Sequence, residues 1–245
     1  MLHFPAAPAY SVLLAGRPRS HPCLRGCQTE RVRSHVDRLD TVFPIAGAIA
    51  LELIQRPEVS GQWLGPSALP KMPVGALACH LGRQMVRAAD LLTVATDIPP
   101  LDSVDDHFGR AAWVTSNSPD DPSNDRSTDD SEALLGAAAL KDRAAGALET
   151  VRGLLGGSAA REVVLIPWQG WSLRRADFLL ARMLEIVVHA DDLALSVGVP
   201  TPEFPDEVFA PVRDLLVRLA VNRHGQSAVI SALTRRERAR VISAF

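Results

Sequence analysis

The segment RADFLLARMLEIVVHADDLALSVG, residues 175–198, has a polarity that excludes most environments for a helix. An ordinary surface helix has a broad polar face and a narrower apolar stripe. Here the proportions are reversed. With Glu185 as origin and a turn of about 100° per residue, His189 falls at about +40°, Asp192 at about −20°, Arg182 at about +60° and Ser196 at about +20°. The other positions are nearly all apolar: Leu179, Leu180, Met183, Leu184, Ile186, Val187, Val188, Leu193 and Leu195, with Asp191 the main exception. Such a helix must be packed on most sides and must present its polar line to the interior of a helical assembly.

The rest of the chain supplies partners for it. Helical spacing of apolar residues marks 34–55, with Pro44 as a kink or restart, and 73–95, with Pro73 in the first turn. It also marks 130–155, stopped by Gly156–Gly157, and 205–225, followed by a short segment at 228–242. Between the second and third helices lies the acidic stretch 97–130, which breaks every periodicity and is expected to be a lid, a binding loop or disordered. REVVLIPW (161–168) is expected to be a strand or extended crossover, followed by a turn at QGWS (169–172). A mostly α, up-and-down four-helix bundle is therefore expected. The residues before about Ser34 are rich in proline and arginine, with no acid before Glu30, and are expected to be a disordered or mis-started extension without a role in the site. Cys23 and Cys27, with three residues between them, are read as coincidence rather than a metal or redox pair.

The formal net charge of −2 provides no overall basic field, so nucleic acid is not an expected partner. No long uncharged apolar stretch reads as a membrane span. Three cysteines make no secreted disulfide framework, and a reducing cytoplasm is the expected compartment.

Glu185 and His189, four residues apart, stack on one face and can grip one ion together. His80, set among Ala76, Leu77, Cys79, Leu81 and Gln84, is the best third ligand. The set His80–Glu185–His189 would leave a metal position open for water or substrate. The competing reading is a buried Glu–His–Arg network without metal, in which Arg182 pairs with Glu185. Asp192 either holds a ligand, accepts a proton or makes a hydrogen bond within its helix. Cys79 reads as a buried thiol, because adjacent helical residues point about 100° apart and it cannot face a partner at position 80. His107, beside Phe108, is expected to be a lid element, His224 a helix C-terminal residue, and the arginines of TRRERAR a solvated face.

Two segments, GQWLGPSALPKMPVGALACHLGRQ and FLLARMLEIVVHADDLALSVGVP, resemble the mycothiol-dependent maleylpyruvate isomerase family of the DinB-like superfamily. The resemblance rests on Trp63, Pro66 and Ser67, then His80–Leu81, then Glu185, His189, Asp192 and Leu193, and the closing residues are similar to an actinobacterial branch. It implies a DinB-like bundle over 34–200, a C-terminal helical extension over 201–245, and a metal held by His80, Glu185 and His189. It also implies mycothiol as cosubstrate. The tail after Pro200 is shorter than the further domain of the family's isomerases, so maleylpyruvate is not the expected substrate.

The chemistry that follows is attack of a metal-activated thiol on a small electrophile, ending in S-transfer or in cis–trans isomerisation. The metal is expected to be zinc, with nickel second. Asp192 and Arg182 are the candidate catalytic residues. A non-catalytic metal-binding or stress-related protein is the alternative, and a metal-dependent hydrolase with Asp192 as base a weaker one. Monomer and homodimer both stay open.

Overall fold

The computed structural model describes the backbone of residues 25–115, 121 and 126–245, and their side chains from 38 onward except 113 and 115. Four long helices form the bundle: α1 (Arg25–Ile54), α3 (Val74–Leu91), α6 (Gly136–Leu155) and α7 (Arg175–Val197). They close a ring in which α1 packs on α7, α7 on α3, α3 on α6 and α6 on α1. Phe43, Leu77, Leu81, Met85, Leu148, Phe178 and Leu179 lie among the side chains at its centre, all essentially without exposure except Leu148 at 2%. The mostly α bundle is thus the observed fold.

The elements differ from expectation at several places. Helix α1 begins at Arg25, ahead of the expected 34, and runs through Pro44 without a break. Cys23 lies outside the described residues. The acidic stretch is not structureless: it holds α4 (Val104–Arg110), a 3-10 turn at Ala112–Thr115 and the start of α5 (Ser127–Ala133). Ser103 caps α4, its Oγ accepting from the Asp106 backbone N–H at 3.2 Å. The expected single helix 130–155 is two: α5 ends at Ala133 and α6 starts at Gly136, whose φ of +86° interrupts the helical run.

Strand β1 (Val163–Ile166) exists, and it pairs antiparallel with a strand that the sequence reading missed, β2 (Trp171–Arg174). The turn between them is 167–170, two residues before the expected one, with Gly170 at φ +77°. Short helix α2 (Pro57–Gly61) precedes α3, and α8 (Asp206–His224) and α9 (Gln226–Thr234) follow the bundle. Gly198, left-handed at φ 73°, ends α7 where expected.

Candidate metal centre

The polar stripe of α7 faces a second stripe on α3, formed by His80, Arg83, Gln84 and Arg87 at i, i+3, i+4 and i+7. His80 Nε2 lies 3.3 Å from Glu185 Oε2, and His189 Nε2 lies 3.4 Å from the same oxygen. The two imidazole rings meet edge to face, with centroids 4.7 Å apart. One ligand atom from each of the three residues lies within 4.8 Å of the others, close enough to share one metal ion. The side chains keep 24% (His80), 13% (Glu185) and 20% (His189) exposure, so the cluster opens to solvent on one side.

Each imidazole has a carboxylate behind it. His80 Nδ1 lies 3.1 Å from Asp129 Oδ2, and His189 Nδ1 lies 2.9 Å from Asp192 Oδ2. An ionised carboxylate only accepts, so each Nδ1 carries the proton. The Nε2 of each ring faces Glu185, and it offers a lone pair to a metal only when it carries no proton. Carboxylate–histidine pairs of this kind orient ring ligands in metal sites. Asp129 is 2% exposed and is itself fixed, with Arg83 Nη2 at 2.6 Å from Oδ1. Arg83 also donates to Glu132 at 3.0 Å, and Arg143 lies 2.6 Å from the same Glu132 oxygen.

The electrostatics follow from this crowding. Burial would raise the Glu185 pKa, but hydrogen bonds from His189 and His80, and the charges of His189 and Arg182, outweigh it and hold the carboxyl well below its usual range. Burial likewise disfavours the His189 cation, yet Asp192 and Glu185 win and raise it to about 9. A metal ion would replace that proton with a larger positive charge at the same place.

The expected Arg182–Glu185 ion pair is not made. Arg182 Nη1 instead donates to Gln84 Oε1 at 2.8 Å, across to α3, and Gln84 Nε2 donates to the His80 carbonyl at 2.9 Å. Glu185 is already engaged by two imidazoles, while the Gln84 amide is a fixed acceptor on the opposing helix. His107 is no lid: it sits on α4, 3% exposed, with its Nδ1 accepting from Trp171 Nε1 at 3.1 Å. Burial, and then the charge of Arg182, push its pKa down to about 4, so it is a neutral ring with its proton on Nε2. Cys79 is buried, and burial pushes its thiol up to about 12, away from thiolate chemistry. His224 does end α8, and its Nε2 accepts from the Ser243 backbone N–H.

Sequence reasoning missed Asp129, Arg83 and the Arg87 position. Applying to 74–91 the helical-wheel test that singled out α7 would have exposed the second stripe. Asp129 carried no such signal within its acidic run.

A helical bundle that gathers two histidines and a glutamate between two of its long helices defines a protein of DinB-like architecture with a potential metal site. Residues 46–194 match the family model described as mycothiol maleylpyruvate isomerase N-terminal domain, and the chain belongs to that family. The match contains every residue of the His80–Glu185–His189 cluster and both carboxylates behind it. No curated protein and no solved structure matches the chain.

Proposed function

We propose that this chain is a divalent-metal-dependent enzyme in which mycothiol, a low-molecular-weight thiol, attacks a small electrophile, giving S-transfer or cis–trans isomerisation. The observation that carries it is the pair of carboxylate-backed imidazoles whose Nε2 atoms converge on Glu185. That donor set suits zinc, with nickel second, and supplies three protein ligands. When bound, such an ion lowers the pKa of a thiol at its open position.

The protein residues do the rest. His80, Glu185 and His189 hold the centre, and Asp129 and Asp192 keep both rings from turning. Asp192 uses one carboxylate oxygen on His189; its other oxygen is the acceptor assigned to the thiol proton. Arg182, buried near Glu185, is assigned to the electrophile. The bundle core is apolar and continuous without these groups, so the metal serves chemistry rather than folding.

The test is incubation of zinc-loaded protein with mycothiol and a panel of electrophiles, with products read by mass spectrometry. S-conjugate or isomerised product is expected from the wild type. His189→Ala is expected to stay folded, to lose the metal and to form neither product. Metal binding without any thiol-dependent product would instead identify a non-catalytic metal-binding protein. An unfolded His189→Ala chain would make the metal structural.

A further inference from the structure

The two facing stripes run antiparallel, and their pairings give a register. His80 meets Glu185, and one turn further along α3 Gln84 meets Arg182. Arg87 lies on the same line, another turn beyond Gln84. Its guanidinium sits 4.1 Å from the centre of the Trp168 ring, on the turn of the β1–β2 hairpin. A cation stacked on an indole is held in direction while its N–H groups remain available.

Neither arginine has a carboxylate partner among the described residues. Arg182 is 4% exposed, its Nη1 is used by Gln84, and its Nε is buried with no hydrogen-bond partner. The nearest aromatic face, Phe178, is 5.9 Å away. A buried guanidinium N–H without an acceptor is costly and calls for one. The nearby anions are already committed: Glu185 to the imidazoles, Asp129 to Arg83 and His80, Asp192 to His189. Burial, and then the like charges of Arg182 and Arg83, lower the Arg87 pKa to about 10. The end of the stripe beyond Gln84 therefore holds donors and positive charge in excess.

We propose that Arg87 and Arg182 form an anion subsite beside the metal centre that selects electrophiles bearing a carboxylate, with Trp168 holding the Arg87 fork in place. This rests on the site being one that processes an electrophile, but anion binding is read without any thiol reaction. Both groups act by charge-assisted hydrogen bonds to the ligand's carboxylate, which are stronger than neutral ones.

The experiment is calorimetric titration of succinate, and of its uncharged analogue succinamide, into the zinc-loaded full chain at low ionic strength. Succinate is expected to bind saturably and succinamide not at all. Arg87→Met keeps the stem that packs on Trp168, and is expected to weaken succinate about tenfold or more with zinc content unchanged. Arg182→Met should do the same; if it fails to fold, Arg87→Met decides. Equal binding of the two probes, absence of succinate binding, or succinate binding unchanged in the folded variants would overturn the subsite. The last result would mean that the carboxylate meets the metal alone. Failure of the thiol chemistry with succinate binding intact would count against the proposed reaction and leave the subsite standing.

Discussion

At the scale of single residues, the centre is built in two layers, and the outer one is the more informative. Asp129 and Asp192 decide which nitrogen of each ring faces Glu185. Replacing either with Asn keeps the shape but removes the charge that holds the Nδ1 proton. Zinc affinity, measured by chelator competition, is expected to fall about 10- to 100-fold for each variant. The unshifted affinity of both would mean that the rings are oriented by packing alone.

His189 also sets a pH dependence. Its folded-state pKa is raised to about 9 from 6.5, so in metal-free protein its charged contacts add stability that is fully present below about 6.5 and lost as pH rises through 9. Metal binding must displace that proton, so zinc affinity has the opposite trend and rises across the same window. Denaturant melts of the metal-free chain between pH 6 and 10 check the first part, and zinc titrations over the same range the second. His80, Glu185 and His189 could be singled out from the sequence because they interrupt apolar helical surroundings. Asp129 could not, since one acid in an acidic run has no periodicity to mark it.

At the scale of elements, the long helices were legible because helical spacing is a local property of sequence. The hairpin was not. WSLR is too short to show alternation, and β2 is a strand only because β1 pairs with it from Val163↔Arg174 to Ile166↔Trp171. The break between α5 and α6 was hidden because the apolar residues Leu134 and Leu135 continue the helical rhythm across it, although both are exposed.

The segment before α3 shows how an element is positioned for the site. Trp63 donates through Nε1 to the Ala133 carbonyl at the end of α5, the helix that carries Asp129. Trp63 in turn lies flat against Gly75, where an added Cβ would sit 2.5 Å from Cε2 of the indole. Gly75→Ala must displace the ring, and is expected to cost about 1–3 kcal/mol in thermal or denaturant unfolding. It should also loosen zinc binding by releasing α5. Wild-type stability in this variant would show that Trp63 moves without consequence.

At the scale of the molecule, α1 and α7 are tied by a two-pronged ion pair at one end of the bundle. Arg175 Nε and Nη2 reach the two oxygens of Asp40 at 3.1 and 2.9 Å, and Nη1 reaches the carbonyl of Ala160 at 3.0 Å. Asp40→Ala leaves that nearly buried guanidinium with only Glu162, 3.0 Å from Nη1, as a carboxylate partner, with an expected loss of about 1–3 kcal/mol by denaturant unfolding. Helix α8 packs Val208, Val212, Leu215 and Leu219 on the bundle, and Arg218 lies 3.0 Å from Asp105 of α4. We propose that 201–245 is an extension that covers the bundle rather than a separate unit. A chain ending at Pro200 is then expected to expose that apolar face and to self-associate, as sedimentation would reveal. Among the described residues no helix is long and apolar enough to cross a membrane.

The central claim is that His80, Glu185 and His189 hold a metal whose open position takes a thiol. Cobalt(II) tests it most directly, because a thiolate bound to cobalt gives a sulfur-to-metal charge-transfer absorption in the near ultraviolet. The account predicts one cobalt per chain, that band on addition of mycothiol, and neither in His189→Ala. Cobalt bound at this centre with no such band at saturating mycothiol would contradict it.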